Sequence, residues 1–473
     1  MTAVLSPITG ETIQEVPDTG LNGLDAALRA AEAAAPVWRR VPAGERGGLL
    51  VEIGRRMRAR AEEIAHLETL NTGKLPADTR READRAAACF EYYGGYADKA
   101  VGTVIPVAGP FHTYTVREPY GVVAGVIPWN VPYFFAAKKI APALAFGNVV
   151  LVKPAEETPL TALLLQEIVT GVLAEAGLPD GIAQVIPGGG DLGRALVADP
   201  RTKLVVFTGS DRTGAAVGAA AAAHYAPAAL ELGGKSPQLV FADADLDAAA
   251  DGVVEGFAGS CGQMCIAGSR LYVQREVYPE FLELLTTRVE GLRVGDPRVA
   301  GTQVGPQVTG PQADKTRGLI AGGAAAGATV VARAAVPDEP TLAGGNWVAP
   351  TVFTGVADDS PLLTEEIFGP VLCAASFADE DEAVALAHDT RFGLGAGIWT
   401  GDPGRGHRLA AELRVGTVWI NTYRILSDLV PFGGVGASGY GREGGTDAVN
   451  LYTWTKSVWT STTPGVPGVY RKG

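Results

Sequence analysis

Between residues 121 and 231, short apolar segments alternate with helical ones, and this alternation constrains the fold more than any other feature. It predicts strands over 122–128, 148–154, 183–186, 203–207 and 228–231, with helices over 158–175, 191–198 and 211–223 between them. Thr158 is expected to cap the first helix, with Pro159 in its first turn. Buried strands joined by helices form a parallel sheet. Such sheets bind ligands at the carboxyl ends of their strands.

The regions on either side of residues 121–231 show other patterns of apolar residues. A 3.6-residue apolar period predicts helices over 24–36, 44–70 and 77–100. A second α/β region is expected from about residue 234, with strands over 236–240, 270–273, 397–399 and 417–421. Segment 101–117 alternates around a Gly-Pro pair, which predicts a hairpin. Segment 451–462 alternates again, and we expect an edge strand that pairs with a partner surface.

Composition excludes several classes of protein. A formal net charge of −13 argues against a nucleic-acid binder, which usually carries a basic stripe. The apolar runs are too short or too interrupted for a membrane span, and the N-terminus does not resemble a secretory signal. Four cysteines do not make a disulfide framework, so the cytoplasm is the expected compartment. Five scattered histidines lack metal-ligand spacing, and no metal site is predicted.

Two polar residues at predicted strand ends are candidates for chemistry. Asn130 follows a strand and could donate its amide N–H to a developing oxyanion, although an asparagine there could also cap the next helix. Glu231 precedes a Gly-Gly turn and could activate a water molecule. The alternative for Glu231 is a salt bridge to Lys235 or a solvated turn.

Cys265 lies among small residues before a predicted strand, which makes it a candidate nucleophile. An ordinary thiol has a pKa of about 8.5, so a nearby cation or a helix N-terminus would have to raise the thiolate fraction. The alternative is an inert core cysteine. Cys261 lies one helical turn away and is expected to pack in the core, with a redox partnership as the alternative.

Two glycine-rich turns are candidates for binding a dinucleotide phosphate. A G-x-G-x-x-G pattern occurs at Gly188, Gly190 and Gly193, but no acidic residue ends a following strand at the usual spacing of ~20 residues. Segment 207–214 has a strand end, a Gly-Ser turn and a helix start, where free N–H groups could hold a pyrophosphate. Taken alone, either turn could be purely structural.

Taken together, the motifs resemble those of the aldehyde dehydrogenase superfamily, from about Ser6 to the C-terminus. The motifs in family order are PWN (128–130), KPAE (153–156), FTGS (207–210), LELGGKSP (230–237), GQMCIAGSR (262–270), EEIFGPV (365–371) and PFGGVGASGYGRE (431–443). The resemblance is to the NAD(P)-dependent, non-acylating members with a cysteine nucleophile. Seven motifs in order leave chance a negligible explanation.

The resemblance implies an α/β fold with three parts. A Rossmann-type, parallel-sheet domain for dinucleotide binding is expected over 1–100 and 118–232, and an α/β catalytic domain over 233–445. A small β oligomerisation element is expected over 101–117 and 446–473. The family implies a homodimer or homotetramer with an isologous interface.

The resemblance also implies the roles of the site residues. Cys265 would attack the aldehyde, Asn130 and the cysteine N–H would hold the oxyanion, and Glu231 would activate the water that releases the acid. NAD is the expected cofactor, with NADP as the alternative, because Glu156 would repel a 2′-phosphate. The expected cofactor contacts are Trp129, Lys153, Glu156, Gly209, Ser210, Gly214, Leu232, Glu366 and Phe368. By the same resemblance, the pattern at 188–193 would lie beside the adenine.

The substrate is less constrained. The expected contacts are Tyr133, Phe134, Lys138, Arg424 and Ser427. The cations suggest a small-molecule aldehyde with an anionic group, and the aromatics an aryl aldehyde or an unsaturated semialdehyde. Lys138 could also extend to solvent and contact no substrate. The alternative functions are a CoA-acylating dehydrogenase, an enzyme for a phosphate-bearing aldehyde, and a catalytically silent relative.

Overall fold

The computed structural model describes residues 1–463. Its α-helices are α1 (Gly20–Arg40), α2 (Ala43–Ala59), α3 (Ala61–Thr72), α4 (Pro76–Tyr96), α5 (Pro132–Ala145), α6 (Leu160–Glu175), α7 (Gly190–Ala198), α8 (Asp211–Ala222), α9 (Leu246–Ala258), α10 (Tyr278–Glu290), α11 (Gly310–Ala325), α12 (Pro361–Thr364), α13 (Glu380–His388), α14 (Pro403–Glu412) and α15 (Ala448–Tyr452). Short 3₁₀ helices span Ala97–Lys99, Gly259–Gly262 and Pro340–Leu342.

The β-strands form two large sheets and three small pairs. They are β1 (Thr2–Leu5), β2 (Thr12–Val16), β3 (Phe111–Pro119), β4 (Val122–Val126), β5 (Val149–Lys153), β6 (Ala183–Val185), β7 (Leu204–Thr208), β8 (Ala228–Glu231), β9 (Pro237–Val240), β10 (Arg270–Gln274), β11 (Thr329–Arg333), β12 (Thr351–Thr354), β13 (Val371–Phe377), β14 (Phe392–Gly393), β15 (Gly395–Trp399), β16 (Thr417–Ile420), β17 (Val435–Gly436), β18 (Gly439–Tyr440) and β19 (Thr453–Ser461).

The first large sheet has the strand order β18-β8-β7-β4-β5-β6. All its neighbours are parallel except β18, which runs antiparallel to β8 at one edge. The strands are almost entirely apolar and buried, because helices cover both faces. The predicted alternation of strands and helices is confirmed, with ends that differ by one or two residues.

The second large sheet has the order β11-β12-β13-β10-β9-β15-β16 and is parallel except for β11. The four strands predicted in this region correspond to β9, β10, β15 and β16. Residues 232–236 connect β8 directly to β9. A short peptide therefore joins the carboxyl end of a strand in one sheet to a strand in the other, and it brings the two sheets together at Glu231. The predicted α/β class is confirmed.

Two predicted helical features differ from the structure. The helix predicted over 44–70 is two helices, because Arg60 has non-helical dihedral angles (φ −108°, ψ 14°). Thr158 does not cap α6, which begins at Leu160 without a side-chain cap. The Thr158 hydroxyl instead donates to the carbonyl of Trp129 at 3.3 Å. This bond ties the start of α6 to the PWN segment.

The ribbon of β3 and β19 lies outside both large sheets. The two strands pair antiparallel from Thr453↔Pro119 to Ser461↔Phe111. The prediction of a hairpin over 101–117 was therefore incomplete, because the first half of that segment forms only an isolated bridge, Val104↔Tyr114. The C-terminal segment is a strand as predicted, but its partner is β3 of the same chain. Residues 464–473 of the predicted oligomerisation element lie outside the described residues.

No helix within residues 1–463 is long and apolar enough to cross a membrane. In the same residues, no group of three or more His, Cys, Asp or Glu side chains is arranged to hold a metal ion.

Candidate active site

A cavity of about 160 Å³ lies between the carboxyl ends of β4, β7 and β8 in the first sheet and the segments that precede β10 and β13 in the second. It brings together the three candidate catalytic residues, Cys265, Asn130 and Glu231. Six of the nine expected cofactor contacts line the same cavity: Trp129, Gly209, Ser210, Leu232, Glu366 and Phe368. The rings of Trp129 and Phe368 meet edge to face with centroids 5.1 Å apart. Residues from both halves of the chain thus form a single cleft around the thiol.

The loop that carries Cys265 is held in a strained conformation. Ser260, Cys261 and Gly262 all have positive φ (52°, 53° and 68°), which is costly for residues that have a side chain. A β-carbon at Gly262 would collide with the backbone of Gly369. The buried Gln263 side chain then fixes the loop by accepting a hydrogen bond from the N–H of Val308 at 2.8 Å. The backbone therefore holds the thiol in one position.

The Asn130 amide is positioned to donate a hydrogen bond into the cavity. The side chain is 5% exposed, and one N–H donates to the carbonyl of Gln263 at 2.7 Å. That bond fixes the orientation of the amide, because the opposite orientation would place two oxygens together. Among residues 1–463, the only other hydrogen-bond acceptor near the amide nitrogen is distant, Met264 Sδ at 4.0 Å. Its second N–H is therefore available to a stronger acceptor.

Cys265 is a neutral thiol in the resting structure. Burial, followed by the negative charges of Glu366 and Glu231, raises its pKa to about 12, although part of its surface faces the cavity. The ammonium of Lys138 and the N–H of Ile266 oppose this shift without outweighing it. The cation expected near the thiol is therefore present but does not by itself produce a thiolate. Cys261 is buried in the core, as the packing interpretation expected.

Glu231 is buried at the end of β8, with 3% of its surface exposed. Neither carboxylate oxygen has a hydrogen-bond partner within the described residues. Burial and the nearby charge of Glu443 raise its pKa to about 8. The expected alternative, a salt bridge to Lys235, does not form, and the buried Lys235 ammonium has no hydrogen-bond partner in the part of the chain that the structure describes. A carboxyl group whose pKa lies near neutrality is suited to exchange a proton with water.

A buried charge cluster lies beside Glu231. Glu443 pairs with Lys139 and, at 3.1 Å, with Lys138. Lys139 also donates to the hydroxyl of Thr208 at 2.8 Å. Burial raises the pKa of Glu443, but the two lysines outweigh it and hold that pKa below its ordinary value. Burial likewise disfavours charge on Lys138, yet neighbouring carboxylates, chiefly Glu443, raise its pKa. Glu443 and Lys138 are therefore charged at neutral pH.

A second cavity, of about 430 Å³, lies on the other side of the 208–213 turn. Lys153, Phe207, Gly190 and Gly193 line it, so two glycines of the G-x-G-x-x-G pattern face this space. A β-carbon at Gly190 would meet nothing, and one at Gly193 would touch only the Lys153 side chain. The two cavities, one on each side of the turn, lie at the carboxyl ends of the first sheet's strands, where sheets of this kind bind dinucleotides.

The turn between the cavities ends in a regular helix start. Ser210 caps α8 by accepting from the N–H of Thr213, and Asp211 in the first turn is paired with Arg391 at 2.6 Å. That pairing offsets a negative charge that would otherwise oppose an anionic ligand at the positive end of the helix. The missing side chain of Gly214 accommodates the side chain of Leu232. Glu156 is exposed near Gly189, at the edge of the second cavity.

A third cavity, of about 240 Å³, has Lys138 and Ser427 in its wall, as the sequence analysis expected for substrate contacts. The Phe134 ring lies behind the wall, and its centroid is 4.0 Å from the central carbon of the Arg85 guanidinium. Tyr133 and Arg424 are not brought to this cavity. The Tyr133 backbone contacts Glu68, and its hydroxyl is buried without a partner in the described part of the chain.

Arg424 is engaged in the nucleophile loop rather than facing the third cavity. Its guanidinium contacts Glu255 at 2.9 Å and donates to the Ser260 hydroxyl at 3.2 Å. Four charged residues near the third cavity could not be identified from the sequence. They are Arg85, Asp428 and Glu443, which line it, and Lys139, which lies behind Glu443. Of these four residues, only Glu443 lies in one of the seven motifs. Its ion pairs join it to residues ~300 positions away in the chain, so no local sequence pattern indicates them.

Comparisons with known proteins agree with this geometry. A model of the aldehyde dehydrogenase family matches residues 1–458. The betaine aldehyde dehydrogenase of Mesorhizobium japonicum is 44% identical over 460 residues, which are 97% of this chain and 93% of that protein. PnpE from Pseudomonas sp. WBC-3, solved in complex with nicotinamide adenine dinucleotide, is 39% identical with a TM-score of 0.96, covering 99% of this chain and 96% of that one.

Betaine aldehyde dehydrogenase from Staphylococcus aureus, in complex with NAD⁺, is 34% identical with a TM-score of 0.96, covering 99% of this chain and 93% of that one. The family model and these relatives match the chain almost from end to end. This chain therefore belongs to the aldehyde dehydrogenase family and is an NAD-dependent oxidoreductase that converts an aldehyde to its carboxylic acid.

Proposed function

We propose that Cys265, Asn130 and Glu231 carry out this oxidation, and their convergence in one cavity is the observation that carries the proposal. The sulfur of Cys265 bonds to the aldehyde carbon, and the thiol proton is released. The free N–H of Asn130 and the N–H of Cys265 stabilise the oxyanion of the thiohemiacetal. Loss of a hydride from that carbon, which NAD would accept when bound, leaves a thioester on Cys265.

Glu231 completes the cycle. Its carboxylate takes a proton from water, the resulting hydroxide attacks the thioester carbon, and the C–S bond breaks to release the acid. The departing Cys265 sulfur regains a proton from Glu231, which restores the thiol and the carboxylate. This role supports hydrolysis over transfer to CoA, because an acylating enzyme needs no general base. A catalytically silent relative is disfavoured by the same residues, since burying an unpartnered carboxylate and straining a loop both cost stability.

The experiment is a rapid-mixing measurement of NADH with Cys265→Ala and Glu231→Gln. Cys265→Ala is expected to form no NADH. Glu231→Gln is expected to give a burst of about one NADH per active site, followed by slow turnover. A Cys265→Ala protein that turns over at the wild-type rate would overturn the proposal.

We propose that Lys153 and Glu156 hold the adenosine ribose, with Gly209 and Ser210 under the pyrophosphate. Glu366 and Phe368 would contact the nicotinamide half, together with Trp129 and Leu232, while Gly214 makes room for the Leu232 side chain. Lys153 lines the second cavity together with Gly190 and Gly193. The negative charge of Glu156 favours NAD over NADP, because it would repel the 2′-phosphate. The division into a dinucleotide-binding domain over 1–100 and 118–232 and a catalytic domain over 233–445 remains a proposal, and β18, inside 233–445, belongs to the first sheet.

We propose a homodimer or homotetramer that assembles through the ribbon of β3 and β19. Trp454 and Trp459 on β19 are 41% and 60% exposed. Val101 and Val104, which precede β3 in the sequence, are also exposed. Large apolar side chains on an extended edge mark an association surface. The cytoplasm remains the proposed compartment.

Two kinds of aldehyde are candidates for the third cavity. The betaine aldehyde dehydrogenases among the relatives suggest a substrate with a fixed positive charge. Lys138 and Arg85 in the cavity wall favour a neutral or anionic aldehyde instead. We propose that the carbonyl approaches Cys265 from this cavity, since the charge of Lys138 reaches both the thiol and the cavity.

A further inference from the structure

A fourth cavity, of about 310 Å³, lies at the base of the ribbon of β3 and β19. Its wall comes from the end of α1, the start of α2, the 3₁₀ helix Ala97–Lys99, the turn after α5, and the ends of β3 and β19 that meet at Pro119 and Thr453. It shares no lining residue with the three cavities described above. The space is many times larger than one water molecule requires, so it can hold a polyatomic ligand. That ligand would be neither the aldehyde nor the dinucleotide.

Arg46 in this wall is a partly buried cation without a carboxylate partner. Its Nε donates to the carbonyl of Ala145 at 3.2 Å, and its Nη1 donates to the carbonyl of Val41 at 2.6 Å. Burial lowers the pKa of Arg46, and no carboxylate within residues 1–463 lies close enough to raise it again. A guanidinium has five N–H donors, so Arg46 retains donors for a ligand in the cavity.

Arg117 is a second cation of the same wall. It lies near the end of β3, opposite Thr455 on β19, and it is only partly exposed. Its guanidinium makes no ion pair and no hydrogen bond in the part of the chain that the structure describes. All its donors are therefore free to bind an anion.

The two carboxylates of the wall, Asp98 and Glu118, are already paired. Asp98 lies 2.7 Å from the ammonium of Lys99. Glu118 pairs with Arg39, the third arginine of the wall, and with Lys456 at 2.7 Å. Among the described residues, no acidic side chain that lines the cavity is left to balance the other two arginines. This positive cavity contrasts with the rest of the protein, whose formal net charge is −13.

We infer that the fourth cavity is a binding site for a small anion of the pyrophosphate class, held between Arg46 and Arg117. A guanidinium matches two oxygens of a phosphate group and stays charged at any physiological pH. Two such cations on different elements, α2 and β3, fit two linked phosphate groups better than a single phosphate ion. The bound anion would reduce the repulsion between the arginines and join the base of the ribbon to α2.

The test is a calorimetric titration of the wild-type protein, saturated with NAD, with pyrophosphate and with orthophosphate at constant ionic strength. Saturating NAD keeps either anion out of the cofactor site. Pyrophosphate is expected to bind one site per chain at least ~10-fold more tightly than orthophosphate, because it can engage both arginines through charge-assisted hydrogen bonds. Absence of saturable binding, equal affinity for the two anions, or binding that NAD abolishes would overturn the inference.

Arg117→Gln identifies the site, since it breaks no polar contact within the described residues. The variant is expected to weaken pyrophosphate binding by about 10- to 100-fold, the loss that one or two charge-assisted hydrogen bonds account for. Arg40→Gln is the matched control, because Arg40 is exposed at the end of α1, next to Arg39, and does not line the cavity. It removes the same charge and should weaken binding by less than about 3-fold. Equal losses in the two variants would show that only the overall charge attracts the anion, and would refute the site.

Melting temperatures separate ligand binding from a structural role of Arg117. In buffer without multivalent anions, Arg117→Gln should melt at least as high as the wild type, because it removes one of the mutually repelling charges. Pyrophosphate should raise the Tm of the wild type and of Arg40→Gln with increasing concentration, and should leave that of Arg117→Gln nearly unchanged. An equal rise in all three proteins, or a lower Tm for Arg117→Gln without any anion, would contradict the assignment.

Discussion

The raised pKa of Glu231 makes a quantitative prediction about the pH dependence of turnover. A carboxyl group with a pKa of about 8 is ionised to about 1% at pH 6, 9% at pH 7, one half at pH 8 and nine-tenths at pH 9. Only the ionised form accepts a proton from water. Thioester hydrolysis should therefore accelerate about tenfold from pH 6 to 7, about fivefold from pH 7 to 8, and less than twofold above that.

The assay must isolate hydrolysis from the steps before it. Stopped-flow NADH absorbance separates a burst, which reports thioester formation, from a linear phase, which reports hydrolysis where the burst is complete. Acid quenching with labelled aldehyde confirms that the thioester accumulates. The burst has its own pH dependence through Cys265, whose pKa of about 12 makes thioester formation faster at high pH. The burst amplitude therefore has to be followed at each pH.

Two variants sharpen the measurement. Glu231→Gln should keep the burst, while its slow linear phase loses the apparent pKa near 8. Glu365→Gln removes an exposed carboxylate in a neighbouring motif and should keep the wild-type profile. A wild-type linear phase that stays flat from pH 6 to 9 while the thioester accumulates would refute the reasoning, because a carboxylate with an ordinary pKa is fully ionised over that range.

Four further predictions concern stability, the oxyanion, the cofactor and assembly. Glu231→Gln should stabilise the protein by up to about 5 kcal/mol at pH 9 but little at pH 4.5, because the wild-type carboxyl must ionise in a buried site as pH rises; thermal melts at several pH values measure the difference. Asn130→Ala should slow the NADH burst by about 10²–10³ with little change in Tm, as stopped-flow and melting show. Glu156→Gln should lower KM for NADP more than KM for NAD in steady-state assays. Trp454→Glu combined with Trp459→Glu should shift the oligomer toward monomer in sedimentation velocity, whereas an unchanged distribution would exclude the ribbon as the interface.

The parts of the fold that could be predicted from sequence are those whose signal is local. Apolar runs of four to seven residues predict the strand–helix alternation of the first sheet, and the structure confirmed it almost residue by residue. The break at Arg60 could not be predicted, because the helical periodicity continues through it. The strand that pairs with β3 could not be predicted either, since β19 lies more than 300 residues away in the chain.

The candidate site divides in the same way. Motifs located Cys265, Asn130 and Glu231, and the structure brings them to one cavity. The electrostatics could not be predicted, because the pKa of Glu231 depends on burial and on Glu443, which is distant in sequence. Arg85 carried no signal at all, since an arginine on an amphipathic helix usually faces solvent.

The antiparallel strand β18 links the substrate loop to the base. Gly439 pairs with Glu231, and the hydroxyl of Ser438 donates to the carbonyl of Gly233 at 2.7 Å. Segment 424–443 thus supplies much of the wall of the third cavity, and its residues 439 and 440 pair with the strand that carries Glu231. Engineers who exchange this segment between homologues to obtain a new substrate range should find that hydrolytic turnover changes along with it. A chimaera would preserve turnover best if its crossover points lay outside 424–443 and its insert kept residues 438–440 unchanged.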